Sequence, residues 1–382
     1  MPRQSIGRRF PGAFRRTPAA ETGPPLIVRF AAFGDVVLLT TLIEVLYRRY
    51  GQPIDVLGSG AWTAPLLASD PRVGELQLVT SRKKPYALCS SQRRAVAWLR
   101  NRSPGPVYLC EPDAKSHWLL QRAGVHPDHM VRAFEHMAGE QIHFTDWWLQ
   151  IGARTPPRFV GRARRADATP VDPVPRLHMT AADRRDCREW LRGRGWSGAS
   201  LLLLQPGSKR TYKRGRLAAL DANKWWPTEH WASLARQLAQ EHPGQQILLC
   251  GAPSEAGVLR AIREQSGCFN VHDCSQVLPV RRLLALLEMA QGMISVDTGP
   301  AHAAAALDCP LVVMFGDEDQ RIWRPRSRRG HVVSVGGEAG AASRVADITV
   351  EQVLVAWREL RTRTAQPMTW LRAAGRPQRL MP

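Results

Sequence analysis

Several absences narrow the chain's class before any motif is considered. No segment of its 382 residues approaches the roughly 18 uninterrupted apolar residues of a membrane-crossing helix, so it is not expected to span a bilayer. The opening MPRQSIGRRFPGAFRRTPAAETGPP carries Arg8, Arg9, Arg15 and Arg16 but no apolar core of a secretory signal, and residues 1–25 read as a disordered basic tail. Seven cysteines, at 89, 110, 187, 250, 268, 274 and 309, form no CxxC pair and no other metal-ligand spacing. Several lie in apolar runs such as QQILLCG, the setting of reduced core thiols. No GxGxxG joins a strand to a helix, which disfavours a dinucleotide oxidoreductase. No repeat, heptad array or recognised nucleic-acid-binding motif is present, and lysine is scarce.

What is present is a strongly basic, otherwise ordinary globular composition, with 44% apolar residues, 23% charged residues and a formal charge of +20. Such a charge calls for an anionic neighbour: nucleic acid, an anionic membrane or a phosphorylated glycolipid. The length exceeds what one hydrophobic core usually organises, so two domains are expected. From residue 26 short apolar runs alternate with helix-period segments, the pattern of doubly wound parallel sheets. LIVRFAAF, PIDVLGSG, ELQLVT and PVYLCEPD serve as strands in the first half, and LLLLQPGS, QQILLCGAP, GMISVDTG and CPLVVMFGD in the second. Between them lies a stretch rich in Pro, Arg and Ala. The expected organisation is an α/β domain over 26–160, a linker over 161–178, a second α/β domain over 179–365 and an irregular tail over 366–382. The two domains are expected to be Rossmann-like and to face each other across a cleft.

Five segments carry candidate chemistry. In RFAAFGDVVLLTT, Gly34 permits a tight turn and Asp35 opens a helix at the carboxyl edge of a parallel sheet. Asp35 there is either a general base facing the cleft or simply a helix cap. In SVDTGPAHAAAAL, a buried strand ends in Asp297, Thr298 and Gly299, and a helix of small residues follows with His302 on its first turn. Its free N–H groups favour a diphosphate, the alternative being a capped helix with a satisfied histidine. In PGSKRTYKRGRLAALDANKWWPTEHW, a strand ends at Pro206–Gly207–Ser208 and a basic loop holds Lys209, Lys213 and Lys224. Fixed ammonium groups suit a leaving diphosphate, whereas Lys209 and Lys213 read better as solvated surface charges. Trp225, Trp226 and Trp231 read as packing residues rather than sugar platforms. Glu255, after QQILLCGAP, is placed either to hold sugar or ribose hydroxyls or to cap its helix. FGDEDQ offers a DxD-like trio, Asp317, Glu318 and Asp319, but cationic phosphate contacts make a metal unnecessary, and none is expected.

With these residues the chain resembles the lipopolysaccharide heptosyltransferases, ADP-heptose-dependent enzymes of the GT-B fold in glycosyltransferase family 9. The resemblance spans roughly residues 26–360. It is carried by VRFAAFGDVVLLTT, PGS followed by KWWPTEHWASLA, LLCGAPSE, and SVDTGPAHAAAALDCPLVVMFG leading to IWRP. It implies that Asp35 deprotonates the acceptor hydroxyl, which attacks with inversion, and that Lys224 binds the departing diphosphate. It further implies donor contacts at Gly207, Ser208, Glu255, Asp297, Thr298, Gly299 and His302, with Gly34 on the acceptor side.

The chain departs from the family pattern in three places. The loop between PGS and KWW is long and basic, HDCSQVLPVRRLL lacks the usual Gly and Lys-Thr, and Asp317 and Glu318 stand where a Pro and a Thr are usual. The expected activity is heptosyl transfer from ADP-heptose to a Kdo-lipid A type inner-core acceptor. The alternative is a related transferase using another nucleotide sugar or a protein or polysaccharide acceptor. No cofactor beyond the nucleotide sugar is expected. The expected partners are the donor, an anionic glycolipid and, transiently, the cytoplasmic face of the inner membrane, without nucleic acid. The expected state is a cytoplasmic monomer, peripheral to that membrane.

Overall fold

The computed structural model describes residues 22–137, 141–161, 171–207, 212–213, 216–217, 224–337 and 344–365. The expected N-terminal tail up to residue 21, the C-terminal tail from 366, Ser208, Lys209 and linker residues 162–170 lie outside them.

The first half runs β1 (Leu26–Arg29), α1 (Phe33–Tyr50), β2 (Ile54–Gly58), α2 (Thr63–Leu67), β3 (Val73–Leu78), α3 (Ser90–Asn101), β4 (Val107–Leu109), α4 (Ala114–Arg122), β5 (Met130–Arg132) and α5 (Phe144–Ala153). The second half opens with α6 (Ala181–Arg192), β6 (Ser200–Gln205), β7 (Tyr212–Lys213), β8 (Arg216–Leu217), α7 (Thr228–Glu241) and β9 (Gln245–Leu249). It continues with α8 (Ala256–Ser266), β10 (Val271–Asp273), α9 (Val280–Met289), β11 (Gly292–Val296), α10 (Gly299–Ala306), β12 (Leu311–Phe315), α11 (Gln320–Trp323), β13 (Val332–Gly336) and α12 (Val350–Ala365).

Two parallel sheets result, ordered β3-β2-β1-β4-β5 and β10-β9-β6-β11-β12-β13, with β7 and β8 forming a separate antiparallel hairpin. The second sheet repeats the order of the first and adds one edge strand. This is the GT-B architecture of two Rossmann-like domains. The central strands are continuous apolar runs because helices cover both faces: Leu26, Ile27 and Val28 of β1 and Leu202, Leu203 and Leu204 of β6 have no exposure at all. Each such side chain contributes about 1.5–3 kcal/mol on leaving water. All seven cysteines are unpaired, six of them buried.

Helix α1 is apolar nearly all round, which suits its place between its own sheet and neighbouring helices. It ends at Gly51, whose left-handed backbone (φ 65°) donates its N–H to the Tyr47 carbonyl. Buried Arg49 turns back to cap the end of α5 through the carbonyls of Gly152 (2.5 Å) and Arg154 (2.8 Å). Residues 171–178 of the expected linker run against α1, where the Arg176 N–H donates to Thr40 Oγ1 at 3.0 Å. Among the described residues no helix is long and apolar enough to cross a membrane.

In an open parallel sheet the strand order reverses at a switch point, where the chain leaves adjacent carboxyl ends in opposite directions and opens a crevice. Those points fall between β1 and β4 in the first sheet and between β6 and β11 in the second.

Candidate functional site

At the first switch point β1 ends in Arg29, and the chain enters α1 through Ala32, whose extended backbone precedes the helix. Alanine has no oxygen with which to cap, and Asp35 in the first turn reaches back so that its Oδ2 accepts the Ala32 N–H at 3.2 Å. Both readings of Asp35 therefore have a structural basis: it caps, yet its side chain keeps 24% exposure. Beneath it lies buried Arg29, with Nη2 at 3.5 Å from Asp35 Oδ1 and Nη1 donating to the Cys110 carbonyl at 2.8 Å. Glu111, just past β4 on the other side of the switch point, accepts the Phe30 N–H at 2.6 Å and faces Arg29 at 3.4 Å. Burial raises the Glu111 carboxyl above its usual range, with the Arg29 charge working against it. Neither Arg29 nor Glu111 was anticipated from sequence, although a carboxylate directly after the apolar run PVYLC was a usable signal.

At the second switch point β11 ends before Asp297 and Thr298, and α10 begins at Gly299. Thr298 is extended and does not cap α10 with its side chain; its Oγ1 lies 3.2 Å from Ser295 Oγ. Pro300 has no N–H, and those of Gly299 and Ala301 have no acceptor within the helix by its geometry. The Asp297 carboxylate accepts from the Lys224 ammonium, which also lies 3.5 Å from Glu318, and it sits 3.7 Å from His302 Nε2. Burial works to raise the Asp297 carboxyl, but His302 and Lys224 together outweigh it and hold the group below the usual carboxylate range. His302 is buried, and among the described residues its Nδ1 has no hydrogen-bond partner.

Two strands away, Glu255 follows β9. Its Oε2 accepts the Ala252 N–H at 2.6 Å, and burial raises its carboxyl. Gly207, at the end of β6, is buried, and its carbonyl accepts from Gln205 Nε2 at 3.1 Å. The ends of β9, β6 and β11 thus line one edge. Asp319 of the DxD-like trio turns to Arg321, accepting its backbone N–H at 2.8 Å, while Glu318 turns to Lys224. Trp226 and Trp231 are buried edge to face, their ring centroids 4.9 Å apart, as packing residues should be.

The two switch points meet. A β-carbon placed on Gly34 would lie 2.9 Å from His302 Cδ2, and one placed on Gly299 would lie 2.6 Å from the Phe33 ring. Gly34 lies inside α1 and is not among the glycines with positive φ, so it serves close approach between domains rather than the tight turn that its sequence context suggested. The first turns of α1 and α10 therefore bear directly on each other, and Asp35 sits one residue from the contact with His302.

The C-terminal domain matches the family model "Glycosyltransferase family 9 (heptosyltransferase)" over residues 202–352. Lipopolysaccharide heptosyltransferase 2 of Salmonella typhimurium is 26% identical over 331 residues, 81% of this chain and 87% of that protein. Among solved structures, the E. coli ADP-heptose LPS heptosyltransferase II superposes with a TM-score of 0.68 at 20% identity, covering 90% of this chain and all (100%) of the other. An E. coli heptosyltransferase with ADP gives 0.65 at 19% identity, covering 88% and 99%.

Proposed function

We propose that the chain is a glycosyltransferase of the family 9, heptosyltransferase-like kind, and that it moves heptose from ADP-heptose to a lipopolysaccharide inner-core acceptor of the Kdo-lipid A type. The observation that carries this reading is the abutment of the two switch points. It sets an accessible carboxylate, Asp35, beside a helix start furnished with Lys224, His302 and N–H groups that have no acceptor within the helix.

In the proposed reaction the nucleotide diphosphate lies at the start of α10, where Gly299 and Ala301 donate N–H groups and Thr298 a hydroxyl. Lys224 exchanges part of its contact with Asp297 and Glu318 for the β-phosphate. It then stabilises the charge that develops as the glycosidic C–O bond breaks. Asp35 takes the proton of the acceptor hydroxyl as that oxygen attacks the anomeric carbon from the opposite face, inverting it. Glu255 and His302 hold donor hydroxyls, and Gly207 lines the diphosphate. No step calls on a metal, because the ammonium and the amides supply the stabilisation. The excess positive charge steers the protein, as a monomer, to phosphorylated headgroups on the cytoplasmic face of the inner membrane, with no nucleic-acid partner.

The test is transfer itself: ADP-heptose and heptose-free inner-core acceptor, with product mass read by spectrometry and with chelator present. Absence of product with these substrates, or Asp35→Ala retaining full transfer, overturns the reading. The Lys224–Glu318 contact favours one alternative, because it places an extra carboxylate beside the diphosphate cation and suits a differently charged donor. A thermal-shift screen of nucleotide sugars distinguishes the two.

A further inference from the structure

The domains are fastened at a second place besides the α1 and α10 contact. Helix α5 of the N-terminal domain is capped by His143, which is 5% exposed. Its Nε2 lies 2.8 Å from the carbonyl oxygen of Arg324, in the C-terminal domain directly after α11. A carbonyl only accepts, so Nε2 carries the hydrogen. The backbone N–H of Thr145 lies 3.2 Å from Nδ1, and a backbone N–H only donates, so Nδ1 carries a lone pair. The ring is thereby fixed as the neutral Nε2–H tautomer, one nitrogen serving its own helix and the other the opposite domain.

Three further contacts surround this bond. The Arg326 guanidinium grips both oxygens of Asp146 at 2.7 Å and donates to Thr145 Oγ1 at 2.9 Å. The Phe144 and Trp323 rings stack at 4.6 Å. The segment held in this way, Trp323–Arg326, continues backward through α11 to Asp319 and Glu318, and Glu318 reaches Lys224.

We propose that His143 is a positioning residue for the transfer reaction: through the Arg324 carbonyl it fastens the loop behind Lys224 to the N-terminal domain and so sets the closed spacing at which Asp35 meets the donor. The role in turnover rests on the proposed function. The fastening itself does not.

Two substitutions separate the halves of the imidazole. His143→Asn keeps an oxygen near the Nδ1 position, a good helix cap, and loses the reach to Arg324. His143→Gln carries an N–H close to the Nε2 position and gives up the cap. Spin labels on unnatural amino acids at Ala97 and Arg263, both exposed, report the spacing between domains with ADP as the bound probe. His143→Asn is expected to lengthen and broaden those distances and to lower kcat about tenfold, the effect of one buried hydrogen bond, while the Kd for ADP stays within about twofold. His143→Gln is expected to stay close to wild type in distance and turnover. Arg326→Ala, altering a more exposed side chain, is expected to lengthen the distances as His143→Asn does. Unchanged distances in His143→Asn, or His143→Gln impaired as much as His143→Asn, overturn the proposal. Because the distances are read with ADP alone, they stand or fall independently of which sugar is transferred.

Discussion

Gly34 and His302 face each other across the interdomain contact so closely that a methyl group on the glycine would lie 2.9 Å from the imidazole Cδ2. His302 is buried and Gly34 sits on the backbone of a helix's first turn, so neither side yields cheaply. Gly34→Ala is therefore expected to cost about 1–3 kcal/mol of stability through overpacking and to misalign the two helix starts. A denaturant melt beside a transfer assay checks both, and an alanine variant with wild-type turnover argues against a close-fitting contact.

Asp35→Asn separates capping from proton transfer, because an amide oxygen still accepts the Ala32 N–H but is not a base. Turnover is expected to fall by about 10²–10⁴-fold. The melting temperature and ADP affinity should barely change.

Lys224→Met leaves the Asp297 carboxylate, whose side chain is 7% exposed, without its ammonium partner. Removing one member of a buried pair costs about 3–5 kcal/mol, and the double variant with Asp297→Asn should recover most of that stability without recovering transfer. The pair also has a pH signature. The folded Asp297 carboxyl is held below its ordinary 3.8, so its contribution is present above that value and is lost as pH falls through the folded value. Urea melts of wild type and Lys224→Met, stepped downward from pH 7, should begin to draw together only once the pH falls below 3.8.

Glu255 behaves in the opposite sense. Burial raises its folded carboxyl above 4.5, so stability is fullest below that value and declines as pH rises through the folded value. Glu255→Gln, which still accepts the Ala252 N–H, is expected to be at least as stable as wild type at pH 7 and to lose that relative advantage in acid. If Glu255 holds donor hydroxyls, the same variant binds ADP-heptose more weakly and ADP almost unchanged, which calorimetry reads directly.

His143 supplies a third pH signature. Burial pushes its imidazole down to about 4 from 6.5, with the hydrogen bond to the Arg324 carbonyl and Asp146 opposing the shift and Arg326 and His302 reinforcing it. A depressed histidine stabilises the fold above pH 6.5 and loses that contribution as pH falls from 6.5 toward about 4. His143→Gln should flatten the stability curve in that window relative to wild type, as measured by melts at half-unit steps.

Much of the fold was legible because doubly covered parallel strands must be nearly continuous apolar runs: LIVR, LLLLQ and GMISV announce themselves, and the residues that follow them stand at sheet edges. That is also why Asp35, Glu255 and Asp297 could be singled out. What local pattern could not reveal was partnership between distant segments. Arg29 reads as a polar interruption at the end of a strand, and only the pairing of β1 with β4 sets it against Glu111. His143 opens a tryptophan-rich helix, and only the docking of residues 323–326 shows what its second nitrogen holds. Gly34 was noticed for the wrong reason, since a glycine needed for close approach and one needed for backbone freedom look alike in a sequence.

The meeting of α1 with α10 has an electrostatic consequence. Aligned peptide dipoles leave partial positive charge at the start of every helix, and here two such starts are pressed together. Asp35, in the first turn of α1, and Asp297, just before α10, set a carboxylate at each start against that charge. In the proposed reaction the diphosphate adds a further counterion at this junction, and its departure takes that charge away.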